Sequence, residues 1–209
     1  MKEIFTIGYT AFQIEDFFDI LKKYNINSVI DVRSSPLSKF HSEYNTDILS
    51  MELKKRGFAY RNYKKEFGAR QPEIKYYPHG YMDFSLFTRS DTFKSGMEKI
   101  MNASKLGYSF VLMCAEKDPV TCHRVIMVAR EFHKEGFTVK NLLANGGFYT
   151  QEDIEHQLVD MYYPDRDQFS LFGEQLSWEE MVEKSYAYQN EKIGYRINSG
   201  NESEDDDFE

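Results

Sequence analysis

Hydrophobic positions at the start of the chain follow the periods of a strand, a helix and a second strand. Residues 3–7 alternate well enough for a short strand, and residues 27–32 favour another. Between them, one face of a helix ending near Tyr24 is marked by Ile14, Phe17, Phe18 and Leu21. This order, with short links, predicts a βαβ unit with parallel strands and a right-handed crossover.

Apart from residues 64–81, strand and helix periods alternate up to residue 143, and helical patterns follow. The predicted segments are a helix at 47–56 stopped by Gly57, a strand at 58–63, a helix at 91–106, a strand at 110–113, a helix carrying Val125, Val128, Ala129 and Phe132, a strand at 138–143, and helices at 151–161 and 177–188. We therefore expect an α/β protein with an open, mostly parallel sheet of about five strands flanked by helices, and a C-terminal helical appendage. The pattern does not predict the strand order.

Changes in composition divide the 209 residues into three parts. We predict an α/β domain at 1–147, a C-terminal helical extension at 148–197 and a disordered acidic tail at 198–209. The six acids of the tail carry most of the formal charge of −8, and about −2 remains without them. The chain shows neither a signal-peptide pattern nor an apolar run of membrane-spanning length, which predicts a cytoplasmic protein without a membrane partner.

Residues 54–75 form a basic segment that the overall charge conceals. Eight lysines and arginines, among them Arg61 and Arg70, oppose two glutamates. Periodicity is lost at 64–81, and aromatic residues lie among the charges: Phe58, Tyr60, Tyr63, Phe67, Tyr76, Tyr77 and Tyr81. Cations for phosphates and rings for bases suit a nucleotide or single-stranded nucleic acid. The alternative is a solvated face whose aromatic rings are tucked into the core.

Strand-end residues supply a candidate site, because the carboxyl ends of parallel strands converge on one edge of a sheet. The residues expected there are Gly8, Tyr9, Asp31, Arg33, Cys114 and Glu116. A helix predicted to begin near Cys122 would add free amides and a positive dipole end, which favour an anion. Arg33 and Arg124 would bind a phosphate in bidentate fashion. Asp31 and Arg33 have the alternative of an internal salt bridge.

Catalytic roles are predicted for Asp31, Glu116, Cys122 and His123. Glu116 is a candidate general acid or base in an apolar crevice. Cys122 has two alternatives, a nucleophile activated at a helix N-terminus or a buried thiol that packs against the sheet. Adjacent helical residues do not face each other, which counts against His123 as its base. Cys114, at the end of a buried strand, is expected in the core.

The sequence predicts neither a metal nor a cofactor. The two cysteines lack a second cluster at the spacing of a zinc site, and in a chain of this kind they are expected to be free. Phosphatase and rhodanese loops need an arginine soon after the cysteine, but the sixth position after Cys114 is Val120. Thiol or metal chemistry through Cys114 and Cys122 is therefore the weakest of the hypotheses for this loop.

The motifs together resemble those of the domain of unknown function 488 family. The resemblance lies in Thr6 to Thr10, in Asp31-Val32-Arg33 with Pro36, in Gly57 to Tyr60, and in Cys114-x-Glu116 followed by Pro119 and Cys122-His123-Arg124. It covers residues 1 to about 143, with Ala69 in place of a frequent glycine and Asn141 in place of a frequent histidine. The resemblance implies an α/β domain of unestablished activity, loosely tied to DNA repair or modification.

Residues 168–172, Gln-Phe-Ser-Leu-Phe, resemble the pentapeptide with which bacterial replication and repair proteins bind the DNA polymerase sliding clamp. An extended segment would deliver Leu171 and Phe172 into an apolar pocket, while Gln168 sets the register by hydrogen bonding. The alternative is that Leu171 and Phe172 cover the domain.

Three functional hypotheses follow from these patterns. The first is an enzyme that acts on a nucleotide or nucleic acid through an anion-binding sheet edge, in DNA repair or modification. The second is a non-catalytic, DNA-associated adaptor recruited by the sliding clamp. The third is a thiol-dependent enzyme. The sequence names neither the substrate nor the reaction, and it makes no prediction about oligomeric state.

Overall fold

Six strands form one twisted sheet in the computed structural model, which describes residues 2–166 and 176–197. The strands are β1 (Glu3–Gly8), β2 (Ser28–Asp31), β3 (Ala59–Asn62), β4 (Phe110–Cys114), β5 (Thr138–Leu142) and β6 (Phe148–Thr150). Their order across the sheet is β3-β2-β4-β1-β5-β6, and all neighbours are parallel except β5 and β6. The predicted open, mostly parallel α/β sheet is confirmed.

Helices cover both faces of this sheet. They are α1 (Ile14–Lys23), α2 (Thr46–Lys55), α3 (Lys64–Phe67), α4 (Phe84–Thr88), α5 (Asp91–Lys105), a π-helical segment (Arg124–Ala129) that continues into α6 (Arg130–Lys134), α7 (Gln151–Tyr162) and α8 (Trp178–Ile193). Helices α1 and α2 belong to one apolar core, and α5 to α8 belong to the other. All five residues of β4 are buried, as expected for a central strand covered on both sides.

Most of the apolar residues that mark the predicted helices are buried in the structure. Phe17, Phe18 and Leu21 of α1 are buried against one face of the sheet, and Phe132 of α6 is buried against the other. Burying one such side chain stabilises a fold by roughly 1.5–3 kcal/mol. The two apolar cores therefore hold the carboxyl ends of β1, β2 and β4 in a defined arrangement.

Strands β1 and β4 meet at a topological switch point of the sheet. Gly8, the last residue of β1, is paired with Cys114, the last residue of β4. After β1 the chain passes through α1 to one face, whereas after β4 it passes through the π-helical segment to the other. A crevice forms where such connections diverge, and open α/β proteins bind ligands there.

Local differences from the sequence prediction occur where elements are short. Residues 64–81, which show no periodicity, contain α3 and a 3₁₀ turn at Ile74–Tyr76, and both are too short to display a period. Strand β6 was not predicted because it has only three residues. It pairs with β5, and Ile154 and Leu158 of α7 belong to the same core as α5. The division into parts at residue 147 stays a proposal.

Two predictions from the sequence concern residues outside the described ranges. The clamp-binding pentapeptide at 168–172 and the acidic tail at 198–209 both lie there. Within the described ranges, no helix has the length and apolar character needed to cross a membrane.

Candidate functional site

Four side chains with metal-binding or acid/base chemistry meet at the switch point. They are Cys114, Glu116, Cys122 and His123, and the sulfur, carboxylate and imidazole atoms that face each other all lie within 4.8 Å. Cys114 ends β4, and the other three come from the connection between β4 and the π-helical segment. Three of the four are buried, while Glu116 is exposed to solvent. The loop therefore gathers a compact cluster with one open side.

The connection after β4 is held tightly against β1. Thr10 Oγ1 donates to the carbonyl oxygen of Ala115 at 2.7 Å, and Arg124 Nη1 donates to that of Glu116 at 2.6 Å. A Cβ atom added to Gly8 would lie 1.9 Å from the Glu116 carbonyl oxygen. Gly8 is thus required for the close approach of two backbone segments, a role distinct from the predicted phosphate binding.

The backbone conformation at Cys122 brings two neighbouring residues into one cluster. Cys122 is extended (φ −118°, ψ 133°), and His123 caps the helix that starts at Arg124, two residues later than predicted. The objection that adjacent helical residues face different ways does not apply, because Cys122 is not helical. The Cys122 carbonyl oxygen accepts from the amides of Val125 and Ile126, both at 3.0 Å, so fewer amides than predicted could bind an anion.

The hydrogen bonds of His123 determine which of its nitrogens faces the cluster. Nε2 lies 3.0 Å from the carbonyl oxygen of Val32, which can only accept, so Nε2 carries a proton. Nδ1 then presents its lone pair to the cluster and lies 3.8 Å from Cys114 Sγ. In metal sites, a hydrogen bond from the other ring N–H of a histidine to a backbone carbonyl or carboxylate commonly fixes the orientation of the imidazole.

Cys122 and Glu116 form a hydrogen bond at the open side of the cluster. Cys122 Sγ donates to Glu116 Oε2 at 2.8 Å. Burial works against a thiolate, but the Cys114 thiol, the Arg124 guanidinium and the His123 imidazole together lower the pKa of Cys122. Although much of Glu116 is exposed, its carboxylate turns inward. The pKa of Glu116 is raised mainly because this carboxylate loses hydration, and the negative charge of Cys122 raises it further.

The remaining two members of the cluster have proton affinities set by their neighbours. The pKa of the Cys114 thiol is raised mainly by burial, and also by the hydrogen bond with Cys122 and the charge of Cys122. Burial alone would lower the pKa of His123, but the sulfur of Cys122 and the charge of Glu116 raise it. Cys114 lies in the core as predicted, and its sulfur still reaches the cluster.

Arg124 is a buried cation beside the cluster, with a fractional exposure of 0%. Its Nε donates to Thr6 Oγ1 at 3.4 Å, and Thr6 in turn donates to Asn141 Oδ1 at 2.9 Å. No carboxylate of the described residues lies within ion-pair distance of its guanidinium group. Arg124 therefore contributes positive charge and loop contacts from within the protein, and its predicted phosphate binding stays a prediction.

Asp31 and Arg33 form a buried ion pair at the end of β2. Arg33 donates twice to the carboxylate, from Nε at 2.9 Å and from Nη2 at 2.6 Å, and Nη2 also donates to the Tyr44 carbonyl oxygen at 2.9 Å. Tyr60 donates its hydroxyl to Asp31 Oδ2 at 2.7 Å, and burial with the charge of Asp31 raises the pKa of Tyr60 to about 12. This geometry favours the salt-bridge alternative over catalytic or phosphate-binding roles.

The side chains of the other predicted binding residues contact residues outside the cluster. Tyr9 is buried and its ring stacks on that of Tyr44 with centroids 4.4 Å apart. The Arg70 guanidinium lies over the ring of Tyr195, 4.4 Å from its centroid, and Arg61 is exposed on β3. Several aromatic residues of the basic segment are buried in the core: Phe67, Tyr76 and Tyr77. For these three rings the alternative that they are tucked into the core is the one observed, so they are not available for stacking on bases.

The fold and this site define a class: an open α/β protein with a cysteine, glutamate and histidine cluster at its sheet switch point. The chain belongs to the family described as "Domain of unknown function DUF488", which matches residues 13–130. That range contains all four cluster residues and ends within α6. No curated protein and no solved structure matches the chain.

The sequence places Glu116, Cys122 and His123 in one site and Cys114 at the same sheet edge, but it predicts no metal there. The feature that it misses is that the sulfur of Cys114, expected in the core, also reaches the other three side chains. The available signal was that alternate residues leaving a strand can face the same side, so Cys114 and Glu116 could share a ligand. Helical spacing could not predict that the side chains of Cys122 and His123 lie side by side, because Cys122 is extended.

Proposed function

We propose that the protein is a metal-dependent enzyme whose ion is bound by Cys114 Sγ, Cys122 Sγ and His123 Nδ1. Glu116 supplies an exchangeable fourth ligand on the solvent side. The observation that carries this proposal is the convergence of four ligand atoms within 4.8 Å, one of them an imidazole nitrogen oriented by Val32. Two sulfurs, one nitrogen and one oxygen are a donor set typical of Zn²⁺.

The distances within the cluster suit such an ion after a small movement of Glu116. Zinc–sulfur and zinc–nitrogen bonds in a tetrahedral site place those two atoms about 3.6 Å apart. Cys114 Sγ and His123 Nδ1 are separated by 3.8 Å, which agrees. The contact of 2.8 Å between Cys122 Sγ and Glu116 Oε2 is shorter than a tetrahedral edge, so the exposed carboxylate would move outward.

The charge of the surroundings also supports the proposal. Two thiolates and a carboxylate around a divalent cation leave a net charge of about −1. Arg124, buried beside the cluster without a carboxylate partner among the described residues, balances that charge. The groups that lower the pKa of Cys122, among them Arg124 and His123, would also stabilise its thiolate, which supports the proposal.

The exposed position of Glu116 distinguishes this site from a closed structural one. Zinc bound there would supply Lewis acidity toward a substrate oxygen. Glu116, released toward solvent, would remain close enough to accept or deliver a proton, and its raised pKa suits that exchange. Cys114, Cys122 and His123 stay buried and would hold the ion in place.

Metal titration tests this function directly. We expect metal-free protein to bind one Zn²⁺ or Co²⁺ per chain, and the Co²⁺ form to show thiolate-to-metal charge-transfer absorption. His123→Ala should lower the affinity at least ~100-fold, because loss of even an outer-shell partner costs about 10–100-fold. The matched control is His79→Ala, which removes an exposed histidine and should leave the affinity unchanged.

A chain that binds neither ion would contradict the metal function. If one thiol of that chain then reacts much faster than the other, the thiol-dependent enzyme becomes the better proposal. The raised pKa of Cys114 and the lowered pKa of Cys122 identify Cys122 as the expected faster thiol.

A second candidate function, binding of a nucleotide or single-stranded nucleic acid, is favoured by a cleft beside the edge strand β3. The cleft has a volume of about 210 Å³ and lies between β3 and α5. Its lining includes Arg61, Tyr63, Lys99, Tyr108 and Phe110. The rings of Tyr108 and Phe110 are stacked, with centroids 6.1 Å apart. Cations and an exposed ring suit a phosphate and a base.

Oligothymidine binding tests the second candidate. We expect Arg61→Ala to weaken binding on the order of tenfold at low salt and to reduce the salt slope by about 1. The control is Arg89→Ala, which removes another exposed arginine at the end of α4. Equal binding by the two variants would argue against the cleft. Recruitment by a sliding clamp through Gln168, Leu171 and Phe172 stays a proposal from sequence.

A further inference from the structure

We propose that Cys114 and Cys122 form a reversible disulfide that excludes the metal ion, so that oxidation switches the site off. This inference rests on the proposed function, because it adds regulation to the same site. It is carried by the position of the two sulfur atoms, which lie within 4.8 Å of each other in one buried cluster. They are also the only two cysteines of the chain.

Disulfide formation requires the sulfurs to approach to about 2.05 Å. Cys114 is fixed at the end of a central strand that pairs with both β1 and β2. Cys122 lies instead between a 3₁₀ turn, Pro119–Thr121, and the π-helical segment, where its backbone is extended. The movement therefore falls to Cys122, because shifting its backbone breaks no strand-pairing hydrogen bond, whereas shifting Cys114 would.

The burial of the cluster favours closure within the chain. Cys114 and Cys122 have fractional exposures of 3% and 0%, so neither sulfur lies at the surface, where it could meet a cysteine of a second folded chain. Glu116 forms the solvent-facing side of the cluster, so a small oxidant or reductant would approach there once its carboxylate leaves its contact with Cys122 Sγ. Bound zinc and the disulfide need the same sulfur electron pairs, and the two states are therefore mutually exclusive.

Hydrogen peroxide is the oxidant that completes the chemistry. The sulfur of Cys122 takes one oxygen atom from the peroxide to become a sulfenic acid, and the other oxygen leaves as water after taking up a proton. The Cys114 sulfur then attacks the Cys122 sulfur, its proton passes to His123 Nδ1 at 3.8 Å, and a second water leaves. Two thiols and one peroxide thus give one disulfide and two waters. A dithiol reductant restores both thiols.

The test uses the full chain, with and without zinc. We expect one equivalent of hydrogen peroxide to lower the intact mass of the metal-free chain by two hydrogen atoms. With zinc bound, the same reaction should release one ion per chain to a chromogenic chelator, and dithiothreitol should restore zinc binding. Cys122→Ala should abolish the mass loss, whereas His79→Ala, which changes an exposed residue outside the cluster, should retain it.

Three results would overturn the switch: a sulfinic acid in place of the disulfide, a disulfide between two chains, or oxidation that leaves zinc bound. A chain that binds zinc but forms no internal disulfide contradicts the switch and leaves the metal function intact. A chain that forms the internal disulfide but never binds zinc contradicts the metal function and supports the thiol pair. If Cys122→Ala does not fold, peptide mapping of the oxidised original chain decides the question, because it must show Cys114 linked to Cys122.

Discussion

Asp31→Asn is expected to lower the free energy of unfolding by about 3–5 kcal/mol, because it leaves Arg33 charged, buried and without its counter-ion. Asp31 and Arg33 have fractional exposures of only 0% and 3%, so solvent cannot replace the lost partner. The asparagine has nearly the same shape, which separates the loss of charge from a loss of packing. Urea denaturation monitored by circular dichroism measures the change.

Two further variants distinguish a buried ion pair from a catalytic pair. The double variant Asp31→Leu/Arg33→Met should be much closer to the original stability, since replacing both charges of a buried pair by apolar groups is often neutral. Tyr60→Phe removes the hydroxyl that donates to Asp31 Oδ2 and should cost about 1.5–3 kcal/mol. An Asp31→Asn protein with unchanged stability but impaired activity would instead support the predicted catalytic role of Asp31.

Gly8→Ala is the second change expected to have a large effect, about 3 kcal/mol of stability together with weaker metal binding. The new Cβ would lie 1.9 Å from the Glu116 carbonyl oxygen and 2.8 Å from its carbonyl carbon. Both contacts are with backbone atoms, so the loop that carries Glu116 must move away from β1. Zinc affinity, measured by competition with a chelator, should fall with the free energy of unfolding.

The matched control for Gly8→Ala is Gly147→Ala, in the connection between β5 and β6. The nearest atom to a Cβ at Gly147 is the side-chain oxygen of Asn145, at 3.2 Å, and a shift of a few tenths of an ångström relieves this contact. The same oxygen can still accept from the Gly147 amide, now at 2.9 Å. The stability and zinc affinity of the control variant should change little. If Gly8→Ala were equally well tolerated, the loop after β4 would be less tightly held than its contacts with Thr10 and Arg124 indicate.

The sheet could be predicted because its strands and helices are long enough to show a period. Strand β4 has five consecutive buried residues, and α1 presents Phe17, Phe18 and Leu21 at helical spacing. Their alternation implied parallel strands, and hence a crevice at the carboxyl ends. Short elements such as α3 and β6 escaped prediction, since four or three residues complete too little of a period to be recognised.

Whether Arg33 and Arg124 bind a phosphate could not be predicted from periodicity. Arg33 and Arg124 occur at strand and helix ends, where arginines commonly bind phosphates. The structure buries both. Asp31 and the carbonyl oxygens of Tyr44 and Glu116 accept from part of each guanidinium group, while Arg33 Nη1 and Arg124 Nη2 have no hydrogen-bond partner among the described residues. Whether an arginine faces a ligand or the protein depends on which acceptors the fold places within hydrogen-bonding distance.

In the stretch from Cys114 to Arg124, some features follow from the sequence alone and others follow only from the tertiary structure. The sequence by itself determined the α/β class, the position of this loop at the end of a buried strand, and the presence there of two thiols, a carboxylate and an imidazole. Only the tertiary structure decided that Cys122 is extended and that Val32 orients His123 toward the sulfurs. Val32 lies 91 residues from His123 in the sequence, and no local period records either feature.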